Sequence, residues 1–223
     1  MKHCNQRGTI SHQKILESGL IFLIILCHRS APATAEPLTE DDRNQLTASR
    51  IVTNIINDFP PNVLNVYYPK SNYRPDFGRC CCRPSNIDVT STPQVSFQNE
   101  SSEYSTLLMI DPDAPSPDFP FLSPIFHWGL CNIKGNDIST GEEIVSYQSP
   151  SPPSCAPHRY IFLLYSQSVF IENCDYKVID VPSVDRENFS YKQYAERKGL
   201  KSISHIQFFY AHRCVWDLSN QVC

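Results

Sequence analysis

The sequence predicts a mainly β fold, and three stretches carry that expectation. Ser105–Ile110 and Ile125–Ile133 are apolar runs on either side of a loop rich in acid and proline, and Arg159–Tyr165 is a run of Tyr, Ile, Phe and Leu without alternation. Short apolar runs bounded by Asp and Pro signal strands, and one without alternation suits a strand buried on both faces. Proline donates no ladder hydrogen bond, so Asp111–Pro124 is expected to leave the sheet. Two acids, and His127 just beyond them, therefore stand where strands end.

Residues 1–35 are set apart from the fold. Lys2, Arg7 and Lys14 precede the apolar run Leu20–Cys27, and Ala33-Thr34-Ala35 supplies the small residues that signal peptidase requires. That run falls far short of the roughly 20 residues that span a bilayer. The expectation is a cleaved secretory signal, with residues 36–223 as one secreted, extracellular domain that does not span a membrane; an uncleaved anchor is the competing reading. Thr39 with Asp42 marks a helix start, and Ala48, Ile51, Val52, Ile55, Ile56 and Phe59 continue at helical spacing until Pro60-Pro61. Val63–Tyr68 reads as a strand, Pro69–Pro84 as a loop pinned by disulfides, and Val95 with Phe97 as a short strand. After Ile133, Lys134–Asp137 has turn composition and Glu142–Tyr147 resumes as a strand. Gln148–Pro157, with four prolines, is a second loop at a strand end. Phe189, Tyr191, Tyr194 and Ala195 fit a short helix ended by Gly199, and Ile206–Tyr210 is a last strand.

Removal of the leader takes away four basic residues and one acid, leaving 15 basic against 22 acidic residues, a net charge of about −7. That balance argues against a nucleic-acid partner and against unspecific attraction to anionic membranes. Eight cysteines remain: Cys80, Cys81, Cys82, Cys131, Cys155, Cys174, Cys214 and Cys223. An even number in an exported chain indicates disulfides, with about 105 possible full pairings. Zinc is the weaker reading, because the pairs of ligands typical of structural sites are absent from the spacing. Asn99-Glu100-Ser101 and Asn188-Phe189-Ser190 are glycosylation sequons.

Two polar loops are joined to buried strands. One holds Asp111-Pro112-Asp113-Ala114-Pro115 with His127, the other Pro152-Pro153 with His158-Arg159-Tyr160. Each is weak alone, since Asp-Pro turns and hydrogen-bonded histidines are common. Together they resemble the phosphatidylethanolamine-binding proteins, also called the Raf kinase inhibitor protein family. Tyr104 to Ser116 resembles the first family signature, Ile125-Phe126-His127-Trp128 through Asn132-Ile133 the second, and Pro152-Pro153 through His158-Arg159-Tyr160-Ile161-Phe162 the third. Their order and separations agree, over about residues 68–216.

The resemblance implies a Greek-key β sandwich of antiparallel sheets with a few peripheral helices. It also implies a small anion pocket near the sheet rim, taking phosphorylethanolamine or another phosphate-bearing small ligand. By matching position the pocket residues are Asp111, His127, Pro152, His158 and Tyr160, with Asp113 and Ile125 lining it less directly. No cofactor, metal or enzymatic activity is implied. A carboxylate repels phosphate, so an acid there must hold a histidine protonated, be protonated itself, or meet the ammonium end of a zwitterion. In the last arrangement Asp111 faces the amine, while His158, the Tyr160 hydroxyl and loop N–H groups face the phosphate.

The resemblance is incomplete. Ser151, Cys155, Ala156 and Pro157 replace the glycines usual in the third signature, and Pro157 removes an N–H. Longer relatives add a C-terminal helix over the pocket, so a more open site is expected here. Phe121, Phe126, Trp128, Phe162, Phe208 and Phe209 are expected in the core, and Arg159 either as an ion-pair partner of Asp113 or as a ligand contact. His205 and His212 match no motif. The rival functions are a secreted protease inhibitor, or a receptor-binding signalling protein with an extracellular protein partner, each acting through a surface loop. A hydrolase using His127 or His158 lacks an accompanying nucleophile elbow or metal triad.

Overall fold

The computed structural model describes residues 36–79, 89–99, 103–153, 155–176 and 186–213. The expected leader, Cys80, Cys81, Cys82, Cys214, Cys223 and the C-terminal tail lie outside the described residues.

Two sheets form the scaffold. Strands β1 (Asn62–Val63), β4 (Tyr104–Asp111), β5 (Ile125–Lys134), β6 (Glu142–Val145), β7 (His158–Gln167) and β8 (Ile203–Ala211) make the larger one, in the order β1-β8-β7-β4-β5-β6; β2 (Asn65–Tyr67) and β3 (Gln94–Ser96) make the smaller. Neighbours are antiparallel except β1 beside β8, so the larger sheet is mixed and not wholly antiparallel as expected. The expected strand Val63–Tyr68 is divided at Leu64. This residue is fully buried, and its N–H donates to Ile206 O (2.9 Å) before the chain changes sheets.

The unalternating run in β7 is explained by a core on each face. Ile161 and Leu163, with Leu108 and Ile110 of β4, pack beside Leu46, Ile51 and Tyr194 of the helical layer. Tyr160, Phe162 and Leu164, with Leu107 and Met109, pack against Leu64, Val66 and Val95 of the smaller sheet. Each fully buried apolar side chain contributes roughly 1.5–3 kcal/mol. Every residue of such strands therefore meets apolar surroundings, and alternation has no use.

Helix α1 (Glu40–Ala48) starts at the expected capping box, in which Thr39 N–H donates to Asp42 Oδ2 (2.7 Å) and Asp42 N–H to Thr39 Oγ1 (3.1 Å). It stops well short of Phe59. Arg50 takes φ 53°, and α2 (Ile51–Asn54) is one turn in which Val52 and Thr53 leave helical geometry. The cause lies in β7: Arg159 Nη1 donates to Ser49 O (2.9 Å) and Arg50 O (3.4 Å), taking up carbonyls at the helix end. Ile51, Ile55 and Ile56 still reach the core, so the apolar spacing is satisfied without a continuous helix. Helix α3 (Tyr191–Arg197) buries Tyr191, Tyr194 and Ala195 beside Phe189, as expected, and Gly199 follows it at φ 63°.

Five of the six expected core aromatics are buried, but Phe121 is exposed, because its loop leaves the sheet and folds into turns of its own. Cys131 of β5 is disulfide-bonded to Cys174, with Cα atoms 6.4 Å apart, and Cys155 is likewise disulfide-bonded. Beside this bridge, Asn132 Oδ1 accepts from Gln167 Nε2 (2.6 Å) and Ile171 N–H (2.9 Å), fastening the segment after β7 to the sheet.

Buried His205 gives the fold a pH dependence. Burial pushes its pKa down to about 4, and its Nε2 has no partner. Above about pH 6.5 the ring is neutral in both folded and unfolded chains; as pH falls the unfolded chain takes up the proton first, and stability is lost. The loss should reach about 3 kcal/mol by about pH 4. Denaturant unfolding at neutral and acidic pH should show this fall, and His205→Leu should remove most of it.

Candidate functional site

The antiparallel register collects the expected residues at one sheet rim. Asp111 is the last residue of β4 and pairs with Ile125, the first of β5; Ile110 pairs with Ile161, which sets Tyr160 and His158 of β7 beside Asp111. An open-mouthed cavity of about 340 Å³ lies there. Asp111, His127, Pro152, His158 and Tyr160 all line it, as does Ile125, together with Ala114, Ser151 and Pro153 from the loops. Asp113 does not.

His127 owes its place to a β-bulge. The partner of Met109 is Trp128 and that of Ile110 is Phe126, which leaves His127 as the extra residue. Phe126 and Trp128 would share one face of a regular strand. Here Phe126 instead joins the helical-side core, stacked on Phe189 at 3.9 Å, and Trp128 joins the opposite core. The ring of His127 is locked by Gln148, whose carbonyl accepts from Nδ1 (2.8 Å) while its N–H donates to the His127 carbonyl (2.8 Å). A carbonyl only accepts, so Nδ1 carries the proton and Nε2 is left bare. Burial lowers the His127 pKa, opposed by the Gln148 contact and the Asp111 charge. The ring is neutral near pH 7.

The two acids of the first loop divide the work. Asp111 Oδ1 accepts from Asp113 N–H (2.8 Å), and Oδ2 accepts from His158 Nδ1 (2.8 Å). His158 is fully buried in the cavity wall, and its Nε2 has no partner. Buried polar atoms are nearly always hydrogen-bonded, so this nitrogen marks a place where a further group belongs. Burial and then the neighbouring Asp111 charge raise the Tyr160 pKa far above that of an ordinary phenol, so its hydroxyl keeps its proton. Asp113 faces away, in a bidentate pair with Arg159: Oδ1 accepts from Nη2 (2.6 Å) and Oδ2 from Nε (2.8 Å) and the Arg159 N–H (2.7 Å). Of the two roles open to Arg159, the structure shows the ion pair.

Arg186, Glu187 and Gln148 also line the cavity, and sequence reasoning did not find them. Arg186 Nη1 donates to the carbonyls of Phe126 (3.2 Å), His127 (3.2 Å) and Ser146 (2.9 Å), and its own carbonyl accepts from Phe126 N–H (2.8 Å). Apart from the Ser146 hydroxyl (3.1 Å from Nη2), its partners are backbone carbonyls, which every sequence offers, so no local pattern announces it. The one legible trace is Phe189, whose stack on Phe126 brings this segment to the rim. Of the sequon asparagines, Asn188 is exposed beside Glu187, while Asn99 donates its side-chain N–H to Ser105 Oγ (3.1 Å). The cavity thus sets two imidazoles, a protonated phenol and a guanidinium around one space, with Glu187 as the acid not already paired with His158. Such a set suits a small anion that carries a cationic end.

Comparisons with known proteins bear on the family and the fold. Residues 76–207 match the family model of the phosphatidylethanolamine-binding protein. The chain is 34% identical over 170 residues to CEN-like protein 1 of Nicotiana tabacum, covering 75% of this chain and 91% of that protein. It is 35% identical over 176 residues to TERMINAL FLOWER 1 of Arabidopsis thaliana, covering 75% and 90%. Among solved structures, the carboxypeptidase Y inhibitor in complex with its cognate proteinase superimposes with a TM-score of 0.68 at 24% identity, over 80% of this chain and 98% of that one. The phosphatidylethanolamine-binding protein of Plasmodium vivax gives 0.62 at 21% identity, over 80% and 99%. These last two similarities speak for the fold alone.

The division between the two acids is open to test. Breaking a buried ion pair by removing one partner costs about 3–5 kcal/mol, so Asp113→Asn and Arg159→Leu should each lower unfolding stability strongly. Because they break the same contact, the double variant should lose clearly less than the sum, with a coupling of at least about 1 kcal/mol in a double-mutant cycle.

Proposed function

Because the chain belongs to the phosphatidylethanolamine-binding protein family, we propose that it is a non-enzymatic module that binds a phosphate-bearing headgroup, phosphorylethanolamine above all. The single observation that carries this reading is the unpartnered Nε2 of His158 in the cavity wall, held from behind by Asp111. An anionic oxygen at Nε2 meets a donor when the ring holds both protons, and the Asp111 carboxylate compensates the resulting charge. The bare Nε2 of His127, once protonated, supplies a further donor beside the Tyr160 hydroxyl, whose own proton is turned to Asp111. Asp111 thus serves the phosphate end through His158 and not the amine, as first expected; Glu187 is the carboxylate placed for the ammonium end.

We further propose that the protein is exported. The Cys131–Cys174 bridge and the disulfide-bonded state of Cys155 support an oxidising compartment. A second reading is a protease inhibitor working through a surface loop, favoured by the shared fold with the carboxypeptidase Y inhibitor. Inhibition that survives Asp111→Ala combined with His158→Ala would favour that reading.

The pocket reading makes a signed prediction. Burial keeps His127 neutral in the free protein, so an anion that draws a proton onto its ring binds with proton uptake. Affinity for phosphorylethanolamine should therefore weaken as pH rises from about 5 to about 8. Calorimetric titration in buffers of differing ionisation enthalpy should register the uptake. His158→Gln should weaken binding by at least about tenfold, or roughly 1.4 kcal/mol, and His127→Gln should flatten the pH profile. An unchanged affinity in the His158→Gln variant would refute the reading.

A further inference from the structure

The loop between β4 and β5 carries an exposed feature that the pocket does not use. Phe119 is 69% and Phe121 57% exposed, and their rings meet each other at a centroid distance of 5.3 Å. Of the other exposed large apolar side chains among the described residues, Phe59 lies under the Arg43 guanidinium and Phe170 against the Tyr104 ring, which leaves Val169 as a single exposed aliphatic side chain away from this loop. Phe119 and Phe121 form the tip of a loop whose two ends, Ala114 and Ile125, are walls of the cavity.

The tip is held firmly. Leu122 N–H donates to Ala114 O (3.2 Å) across the loop base, Phe119 N–H to Ser116 O (3.0 Å) and Ser123 N–H to Pro120 O (3.1 Å). The outgoing limb is strapped by Asn188 N–H to Leu122 O (3.0 Å) and Phe189 N–H to Pro124 O (2.9 Å). Five prolines between Asp111 and Ile125 restrict it further. Two aromatic rings are thus presented to solvent at small further cost in chain entropy. Phe121 is four residues from Ile125, so at most about 14 Å of chain separates the tip from the cavity wall.

We propose that Phe119 and Phe121 are a membrane-docking tip, which lets the cavity take the headgroup of a lipid still resident in a zwitterionic bilayer. This inference rests on the headgroup reading of the cavity. The reach fits: apolar groups docked at a membrane surface lie about 5–10 Å into the boundary between headgroups and acyl chains, within the span of the loop. Charge selects the kind of surface. No Lys or Arg lies between Asp111 and Ile125, Asp118 stands beside the tip, and Glu187 borders the cavity. Polybasic segments are what attract anionic leaflets, so this tip favours a neutral surface. The presence of both Arg186 and Glu187 in the cavity lining further matches a headgroup bearing both signs.

The test uses the full chain and two measurements in parallel: calorimetry with soluble phosphorylethanolamine, and co-flotation with phosphatidylcholine vesicles with or without phosphatidylethanolamine. The wild type should bind the soluble headgroup and float with the phosphatidylethanolamine vesicles. Phe119→Ser combined with Phe121→Ser should keep its circular dichroism spectrum and its soluble affinity within about twofold, yet lose vesicle binding by at least about tenfold. Phe119→Trp should shift its emission to the blue on these vesicles and be quenched by brominated acyl chains. Vesicle binding that survives the double serine variant overturns the proposal. So does binding of the soluble headgroup without flotation, which leaves the pocket reading intact, whereas failure to bind either form removes both. A tip that serves to join two copies of the chain or a protein partner would show as serine-sensitive self-association or partner binding without flotation, and would likewise overturn it.

Discussion

The 2.8 Å hydrogen bond from Asp113 N–H to Asp111 Oδ1 organises much of what surrounds it. It folds the chain back as it leaves β4, and in doing so gives two neighbouring carboxylates opposite duties. Asp111, at the cavity, spends its other oxygen on His158; Asp113, turned away, grips Arg159. Arg159 then reaches the carbonyls of Ser49 and Arg50 and marks the end of helix α1. One continuous line of polar contacts, buried at the cavity and half-buried at Arg159, therefore runs from the cavity wall to the helical layer, and each charge along it has a partner. In a low-dielectric setting such contacts are strong when complete and costly when broken. The cavity is consequently held by the same contacts that order the first helix.

The strands were legible in the sequence because burial on both faces leaves a plain signature. β4, β5, β7 and β8 read as apolar runs, and the capping box at Thr39 and Asp42 is visible from the residue types alone. The site was partly legible too. Asp111, His127, Pro152, His158 and Tyr160 line one cavity because they stand at strand ends that the antiparallel register brings together. What escaped depends on partners remote in sequence. The premature end of α1 is caused by an arginine about 110 residues away, and no local propensity encodes that. Arg186 was missed because it binds backbone, and the parallel pairing of β1 with β8 because Leu64 must serve the other core.

Phe121 failed for a different reason. A large aromatic in a run of β-formers is usually core, but proline on both sides removes the ladder hydrogen bonds that would have drawn it into the sheet. The same prolines give the loop a fixed shape. An exposed aromatic pair on a rigid loop is unusual enough among surface features to call for a use.

The bulge at His127 has a further consequence for how this protein can vary. Because His127 is the additional residue of β5, loss of one residue between Ile125 and Gly129 would restore a regular ladder. It would also withdraw the imidazole from the cavity, while Phe126 and Trp128, then adjacent, would still point to opposite sides of the sheet. That strand can tolerate exchange of side chains but not a change of length. The neighbouring stretch from Ser116 to Leu122 makes no ladder pairs, and its hydrogen bonds are turns and straps that a change of length would redraw without shifting the register of the sheet. Diversification among related chains is therefore channelled by register: the cavity floor keeps its reading frame, while the rim beside it is free to acquire new surfaces.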